Sequence, residues 1–252
     1  MLHAACSGSF SFQSALRFIK TQMAELKTFK LFVVGESGVG KTSLLITYTT
    51  KTFPTPYLPT IYDTYVTTIE IPDEGEQEVE PSKRKLRNVG YQNAHTGETT
   101  QSNLNGQRKF QLGLWDPSGG EDFDRLRPLQ YPETDVFLIC FDVSNEESFH
   151  NVRNRWKPEI THYMPTTPWL LVGTKTDLIL EADITANKVH GQKTTGCISA
   201  DCAMMEAASL KAVKYVECSA LLQKGVEEVF VEAVKAVLAS RSVKKRKKCL
   251  VL

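Results

Sequence analysis

Gly35-Glu36-Ser37-Gly38-Val39-Gly40-Lys41-Thr42 sets glycines, a lysine and a hydroxyl at the spacing G-x-x-x-x-G-K-[ST]. Such glycines let successive backbone N–H groups turn inward around phosphate oxygens, and a helix opening at Lys41 adds the positive end of its dipole. Lys41 supplies a point charge for the outer phosphates, and the Thr42 hydroxyl is a hard oxygen suited to Mg²⁺. An apolar run precedes the loop and a helical pattern follows it, which is the context the motif requires. A second group of residues, Thr174-Lys175-Thr176-Asp177, bears on the base. The Asp177 carboxylate can accept from N1–H and from the exocyclic amine of guanine together. Adenine has no such donor pair and would leave the carboxylate unpaired. The Lys175 stem can pack along a purine ring, and Glu217-Cys218-Ser219-Ala220 follows the next strand as a further base-site segment.

These residues need a scaffold that brings them together. Short apolar, β-rich runs predict strands at Phe29–Val34, Tyr65–Ile71, Phe110–Trp115, Val136–Phe141, Trp169–Val172 and Val213–Glu217. Between them, Lys41–Thr50 reads as a helix. Phe149, Val152, Trp156 and Ile160 recur at helical spacing after a capping box of Ser144 and Glu147. Val226, Val229, Phe230, Ala233, Val234 and Val237 share one face of a last helix. The alternation predicts an α/β fold, a six-stranded, mostly parallel sheet with helices on both faces. Its ligand should lie beyond the carboxyl ends of the strands.

Two stretches interrupt this pattern. Residues 72–109 are polar, with an acidic block at Asp73, Glu74, Glu76, Glu78 and Glu80 and a basic one at Lys83, Arg84, Lys85 and Arg87. They read as a long hairpin insertion, disordered and solvated or used as a partner-binding arm. Residues 178–210 hold weak helical signals and polar breaks, and predict a surface excursion.

The 252 residues, 41% hydrophobic and 23% charged, suffice for one domain with a sizeable core. A net charge of +1 argues against a nucleic-acid binder. Five basic residues run from Lys244 to Lys248, and without them 25 basic side chains face 29 acidic ones. A mildly acidic body with a basic tail points to an anionic membrane surface. The six cysteines show no disulfide spacing, and Cys140 and Cys218 read as small buried residues of a reduced, cytosolic protein. No apolar stretch reaches the roughly 20 residues that span a bilayer. Residues 1–24 contain no Asp or Glu. They read as a transit peptide, as a disordered leader, or as sequence ahead of a start at Met23.

From Phe29 to Leu252, apart from the insertion, the chain resembles a Rho-family small GTPase. The likeness is carried by the phosphate loop, Phe53-Pro54, Tyr57-Leu58-Pro59-Thr60, Asp122–Leu129, Trp156-Lys157-Pro158-Glu159, the TKxD segment and the terminal Cys249-Leu250-Val251-Leu252. The resemblance implies GTP and GDP as ligands with Mg²⁺. It divides the chain into an N-terminal extension at 1–26, a G domain at 27–240 and a polybasic, prenylated tail at 241–252. The excursion within 178–210 becomes a Rho-type insert. The phosphates would lie against Ser37, Gly38, Val39, Gly40, Lys41, Thr42, Thr60 and Gly119. The guanine would lie against Phe53, Lys175, Asp177, Ser219 and Ala220, and the metal against Thr42, Thr60 and Asp116.

Trp115-Asp116-Pro117-Ser118-Gly119-Gly120-Glu121 departs from the family pattern. Gly120 stands where the family keeps the Gln that positions the attacking water, so no catalytic residue is intact there. Ser37 replaces a glycine that leaves room for that Gln and for an activating protein's arginine finger. Ser118 stands where Ala is usual, and Pro117, in place of Thr, lacks an N–H. The Rnd subgroup of Rho proteins is similar in being altered at the Ser37, Ser118 and Gly120 positions. The resemblance therefore implies a protein that stays GTP-bound. A conventional cycling GTPase, with compensation through Glu121 or a water held by Ser118, is the alternative, and an ATP-using protein is opposed by Asp177.

Cys249-Leu250-Val251-Leu252 fits C-a-a-X with a final Leu, which implies geranylgeranylation of Cys249. One lipid chain anchors only marginally, and the five basic residues add up to about 5 kcal/mol on an anionic leaflet before screening. A nuclear-localisation reading of the same run stays open. The expected place is the cytoplasmic face of the plasma membrane, with a cytosolic pool. The expected partners are effectors at switch I and switch II, exchange factors and a GDI-type solubilising protein, with no nucleic acid.

Overall fold

A computed structural model describes residues 27–55, 60–72, 107–179 and 197–249. The expectations for 1–26, Tyr57-Leu58-Pro59, most of 72–109, 180–196 and the last three residues lie outside this set. The strands are β1 (Thr28–Val34), β2 (Tyr62–Pro72), β3 (Gln107–Pro117), β4 (Val136–Asp142), β5 (Trp169–Thr174) and β6 (Tyr215–Glu217). The helices are α1 (Lys41–Thr50), α2 (Glu146–Asn151), α3 (Lys157–Tyr163), α4 (Ala200–Ser209) and α5 (Val226–Cys249), with a π-helical turn at Val152–Trp156 joining α2 to α3.

The chain divides into two compact units. The smaller comprises Met1–Lys27 and Glu70–Phe110. Among its described residues Lys109 pairs with Glu70 at 2.7 Å, and Ile71 and Phe110 are buried. The polar insertion is therefore shorter than expected, because Pro72 ends β2 and Gln107–Lys109 already belong to β3.

The larger unit, Thr28–Ile69 with Gln111–Leu252, holds the sheet core. The strand order is β2-β3-β1-β4-β5-β6. β1 runs parallel to β3 and β4, β4 to β5, and β5 to β6, in registers such as Phe32↔Trp115, Val34↔Ile139, Asp142↔Thr174 and Gly173↔Glu217. All seven residues of β4 are buried, as expected of a parallel strand covered on both faces. Those registers bring Pro117, Asp142, Thr174 and Glu217 to the same edge as the end of β1, where the predicted site residues converge.

Phe149, Val152, Trp156 and Ile160 are buried on one side of the sheet, and the predicted face of α5 is buried throughout. Tyr48 of α1 stacks on Phe230 of α5 with centroids 3.6 Å apart.

Three local expectations are corrected. The cap of α2 is Asn145, whose side chain accepts from the Ser148 N–H, while the Ser144 hydroxyl donates to Asp142 instead. Residues 200–209 form a regular helix capped by Ser199, with Ala203 and Ala207 in the core, so the stretch 178–210 is not all surface excursion. Its small alanines give little periodic signal yet suit close packing. Regular β6 begins at Tyr215, two residues late, and Val213 is exposed. Among the described residues no helix is long and apolar enough to cross a membrane.

Candidate nucleotide site

The phosphate loop leaves β1 at Gly35, whose φ of +146° and close approach to β4 demand glycine. An added Cβ would sit 2.3 Å from the Cys140 carbonyl oxygen. Gly40, at φ +96°, forms the left-handed N-cap of α1, a conformation that also favours glycine. The Thr174 hydroxyl, at the end of β5, donates to the Val39 carbonyl at 2.5 Å and fastens the loop to the sheet.

A cleft of about 490 Å³ opens there, and Ser37, Gly38, Gly40, Lys41, Thr42, Phe53, Thr60, Gly119 and Lys175 line it. The Lys41 ammonium is buried and donates to the carbonyls of Gly35 (2.8 Å) and Glu36 (2.7 Å). Burial lowers its pKa, partly offset by the negative charge of Asp116.

Thr42, Thr60 and Asp116 come together. The Thr42 and Thr60 hydroxyls are 2.7 Å apart, and Thr42 Oγ1 donates to Asp116 Oδ2 at 2.5 Å. Asp116 is fully buried, and among the described residues its Oδ1 has no hydrogen-bond partner. Desolvation pushes its pKa up to about 6, against the opposing Thr42 bond and the Lys41 charge. A buried carboxylate with an open oxygen beside two hydroxyls is a hard-oxygen set that fits Mg²⁺.

On the base side, Asp177 is buried and its Oδ1 accepts from the Ser219 hydroxyl at 2.5 Å. The Thr176 N–H donates to the Cys218 carbonyl, joining the two base-site segments. Asp177, Ser219 and Ala220 do not line the cleft, unlike Lys175 and the partly exposed Phe53. Lys175 has φ +59° and its ammonium pairs with Asp142 Oδ2 at 2.7 Å.

Sequence reasoning missed Asp142. Its carboxylate also accepts from the N–H and hydroxyl of Ser144, and these bonds with Lys175 outweigh desolvation and hold its pKa low. Its place as the polar end of an apolar strand was the available signal. A network beneath the loop was also missed. Arg155 spans Glu36 of the phosphate loop (3.1 Å) and Asp124 (2.7 Å). Arg127, fully buried, meets Asp124 and is held by both oxygens of Glu159, which also accepts from the Tyr131 hydroxyl. Only the fold joins these segments.

Gly119 and Gly120 differ sharply. An added Cβ at Gly119 would lie 2.2 Å from the Gly35 oxygen and 2.7 Å from Lys41 Nζ. At Gly120 it would meet nothing nearer than Ser118 Oγ at 3.5 Å, and φ −66°, ψ 149° is open to any residue. The Gly120 N–H donates to Ser118 Oγ, and the Ser118 N–H donates to the Ile61 carbonyl at 3.0 Å.

A parallel α/β sheet with a phosphate loop at its carboxyl edge and hard oxygens beside it defines a P-loop nucleotide-binding protein. The Ras family model matches residues 30–79 and 88–239, and the chain belongs to that family, as a small GTPase with a GTP-binding domain. The match is interrupted only at 80–87, inside the polar stretch.

Proposed function

We propose that this chain is a Rho-like, membrane-anchored signalling GTPase that holds GTP with impaired hydrolysis and presents GTP-ordered switch regions to effectors. The carrying observation is the room at Gly120. Glycine is not needed there for backbone or packing reasons, so what the position lacks is a functional side chain. Nothing at Gly120 can accept from the attacking water or stabilise the charge spreading over the phosphate.

In this reading Lys41 and the N–H groups of residues 37–42 hold the phosphates, and Thr42, Thr60 and Asp116 hold Mg²⁺. The metal, when bound, neutralises charge on the phosphate oxygens. Gly119 offers its N–H to the γ-phosphate. Phe53 and Lys175 flank the guanine, Asp177 reads its donor edge, and Ser219 and Ala220 contact it through backbone. The exposed Ile61, Val66, Leu126 and Leu129 supply apolar area for an effector. Prenylated Cys249 with Lys244–Lys248 would place the protein on the cytoplasmic face of the plasma membrane, with a cytosolic pool drawn off by a GDI-type protein.

Single-turnover hydrolysis of preloaded GTP, with and without a Rho-type activating protein, tests the reading. Turnover should be very slow and insensitive to the activating protein. Ordinary small-GTPase rates would refute it and restore the conventional cycle driven by exchange factors.

A further inference from the structure

At the amino ends of β5 and β6, away from the nucleotide cleft, lies a second cleft of about 250 Å³. Lys157 and Thr161 of α3, Thr166 and Trp169, Lys211 after α4 and Ser240 of α5 contribute to it. Among the described residues its ionisable lining is two lysines and no carboxylate.

Among the described residues the two ammonium groups have no carboxylate partner. Lys157 Nζ donates to Thr161 Oγ1 at 2.6 Å and lies 5.4 Å over the Trp169 ring, and neither contact neutralises it. Among the described residues Lys211 makes no ion pair, whereas Lys109, Lys175, Lys214 and Lys235 each meet a carboxylate. Burial, and then the neighbouring Lys211 charge, lower the pKa of Lys157. Two like charges converging on a concave surface repel each other, and an anion between them relieves that repulsion.

We propose that this cleft binds a phosphate group, a phosphomonoester dianion between the Lys157 and Lys211 ammonium groups, with the Thr166 and Ser240 hydroxyls as further donors. Two separated cations with hydroxyls around them suit an anion with several equivalent oxygens. The source favoured by position is a lipid headgroup. Ser240 lies one turn, about 6 Å, before Lys244 on the same continuous helix, so cleft and basic run stand together at one end of α5. Such a cleft would bind phosphate whatever the rate of GTP hydrolysis.

The test uses the full chain loaded with GDP and Mg²⁺, so that the phosphate loop is already filled. Inorganic phosphate is titrated at constant ionic strength while backbone amide resonances are followed. Saturable shifts should be confined to residues 157–169, 211–213 and around 240, and binding should weaken about tenfold or more in Lys157→Gln/Lys211→Gln. Unchanged binding in that variant, or no saturable shift at those residues, overturns the proposal. Retained GDP affinity reports the fold of the double variant, and exposed Lys211→Gln alone carries the test if the double variant does not fold. Vesicles containing phosphatidylinositol 4-phosphate, compared with phosphatidylserine vesicles of matched charge, separate the sources. A preference lost with Lys157 and Lys211 but kept on neutralising Lys244–Lys248 identifies a lipid headgroup. Phosphate binding without that preference identifies a soluble phosphate.

Discussion

An alanine at Gly119 would place its Cβ against the Gly35 carbonyl and the Lys41 ammonium, whereas one at Gly120 would meet only ordinary contacts, with Ser118 Oγ at 3.5 Å and the Phe123 ring at 3.8 Å. Gly119→Ala should therefore cost about 1–3 kcal/mol or more of overpacking and weaken nucleotide binding, while Gly120→Ala leaves both unchanged. Melting temperature and GTP affinity measure the contrast, and equal effects would show that the two positions are not distinguished by space. Gly120→Gln should speed single-turnover hydrolysis by up to about 10²-fold, the worth of one preorganised donor. Asp116 makes a pH prediction. Its folded pKa near 6 exceeds that of an unfolded Asp, so native protein keeps a proton that the unfolded chain has released between about pH 4 and 6. Stability of the metal-free protein from this group falls as pH rises through that window and is flat above it. Wild type minus Asp116→Asn in melts from pH 4 to 7 isolates the effect, and Mg²⁺ should shrink it by favouring the carboxylate. A pH-independent difference would exclude it.

The segment Val152–Trp156 between α2 and α3 carries two positive side chains to opposite tasks. Arg153 pairs with Glu206 of α4, while Arg155 turns inward to Glu36 and Asp124. Glu159 on α3 balances the buried Arg127, whose pKa stays raised despite desolvation because that carboxylate holds it. Glu159→Ala should cost about 3–5 kcal/mol by leaving a buried charge with only the partly exposed Asp124 as partner. Denaturant unfolding at fixed GDP measures this, and a loss below about 1 kcal/mol would mean that water or Asp124 replaces the partner. The same region marks what could be read from residues alone. Apolar runs located every strand to within about three residues, and Phe149, Val152, Trp156 and Ile160 revealed the buried face. The candidate phosphate, metal and base residues could be proposed from residues alone because such chemistry is local to short motifs, and the fold brings Lys41, Thr42, Thr60 and Asp116 together. The Asn145 cap was missed because Ser144 and Glu147 offered a competing match. Helix α4 was missed because alanines carry weak amphipathic contrast. The Arg155 bridge joins residues 119 positions apart, which no local pattern encodes.

For the chain as a whole, attachment is the quantity most open to a direct check. Cys249→Ser should move the protein from the membrane fraction to the cytosol, because the basic run alone gives reversible adsorption screened by salt. Membrane retention of that variant at high salt would exclude the prenyl anchor. In the proposed reading, guanine recognition and attachment would also lie at opposite ends of one rod. α5 begins soon after Ser219 and Ala220 and runs 24 residues, about 36 Å. The Tyr48–Phe230 stack and the Arg241–Asp135 ion pair pin that rod to α1 and to the start of β4. The rod then works as a tiller. If the proposed anchor holds, the angle its far end takes against a bilayer would set the compass bearing of the nucleotide mouth, and partners arriving along the bilayer would be sorted by heading as well as by chemistry.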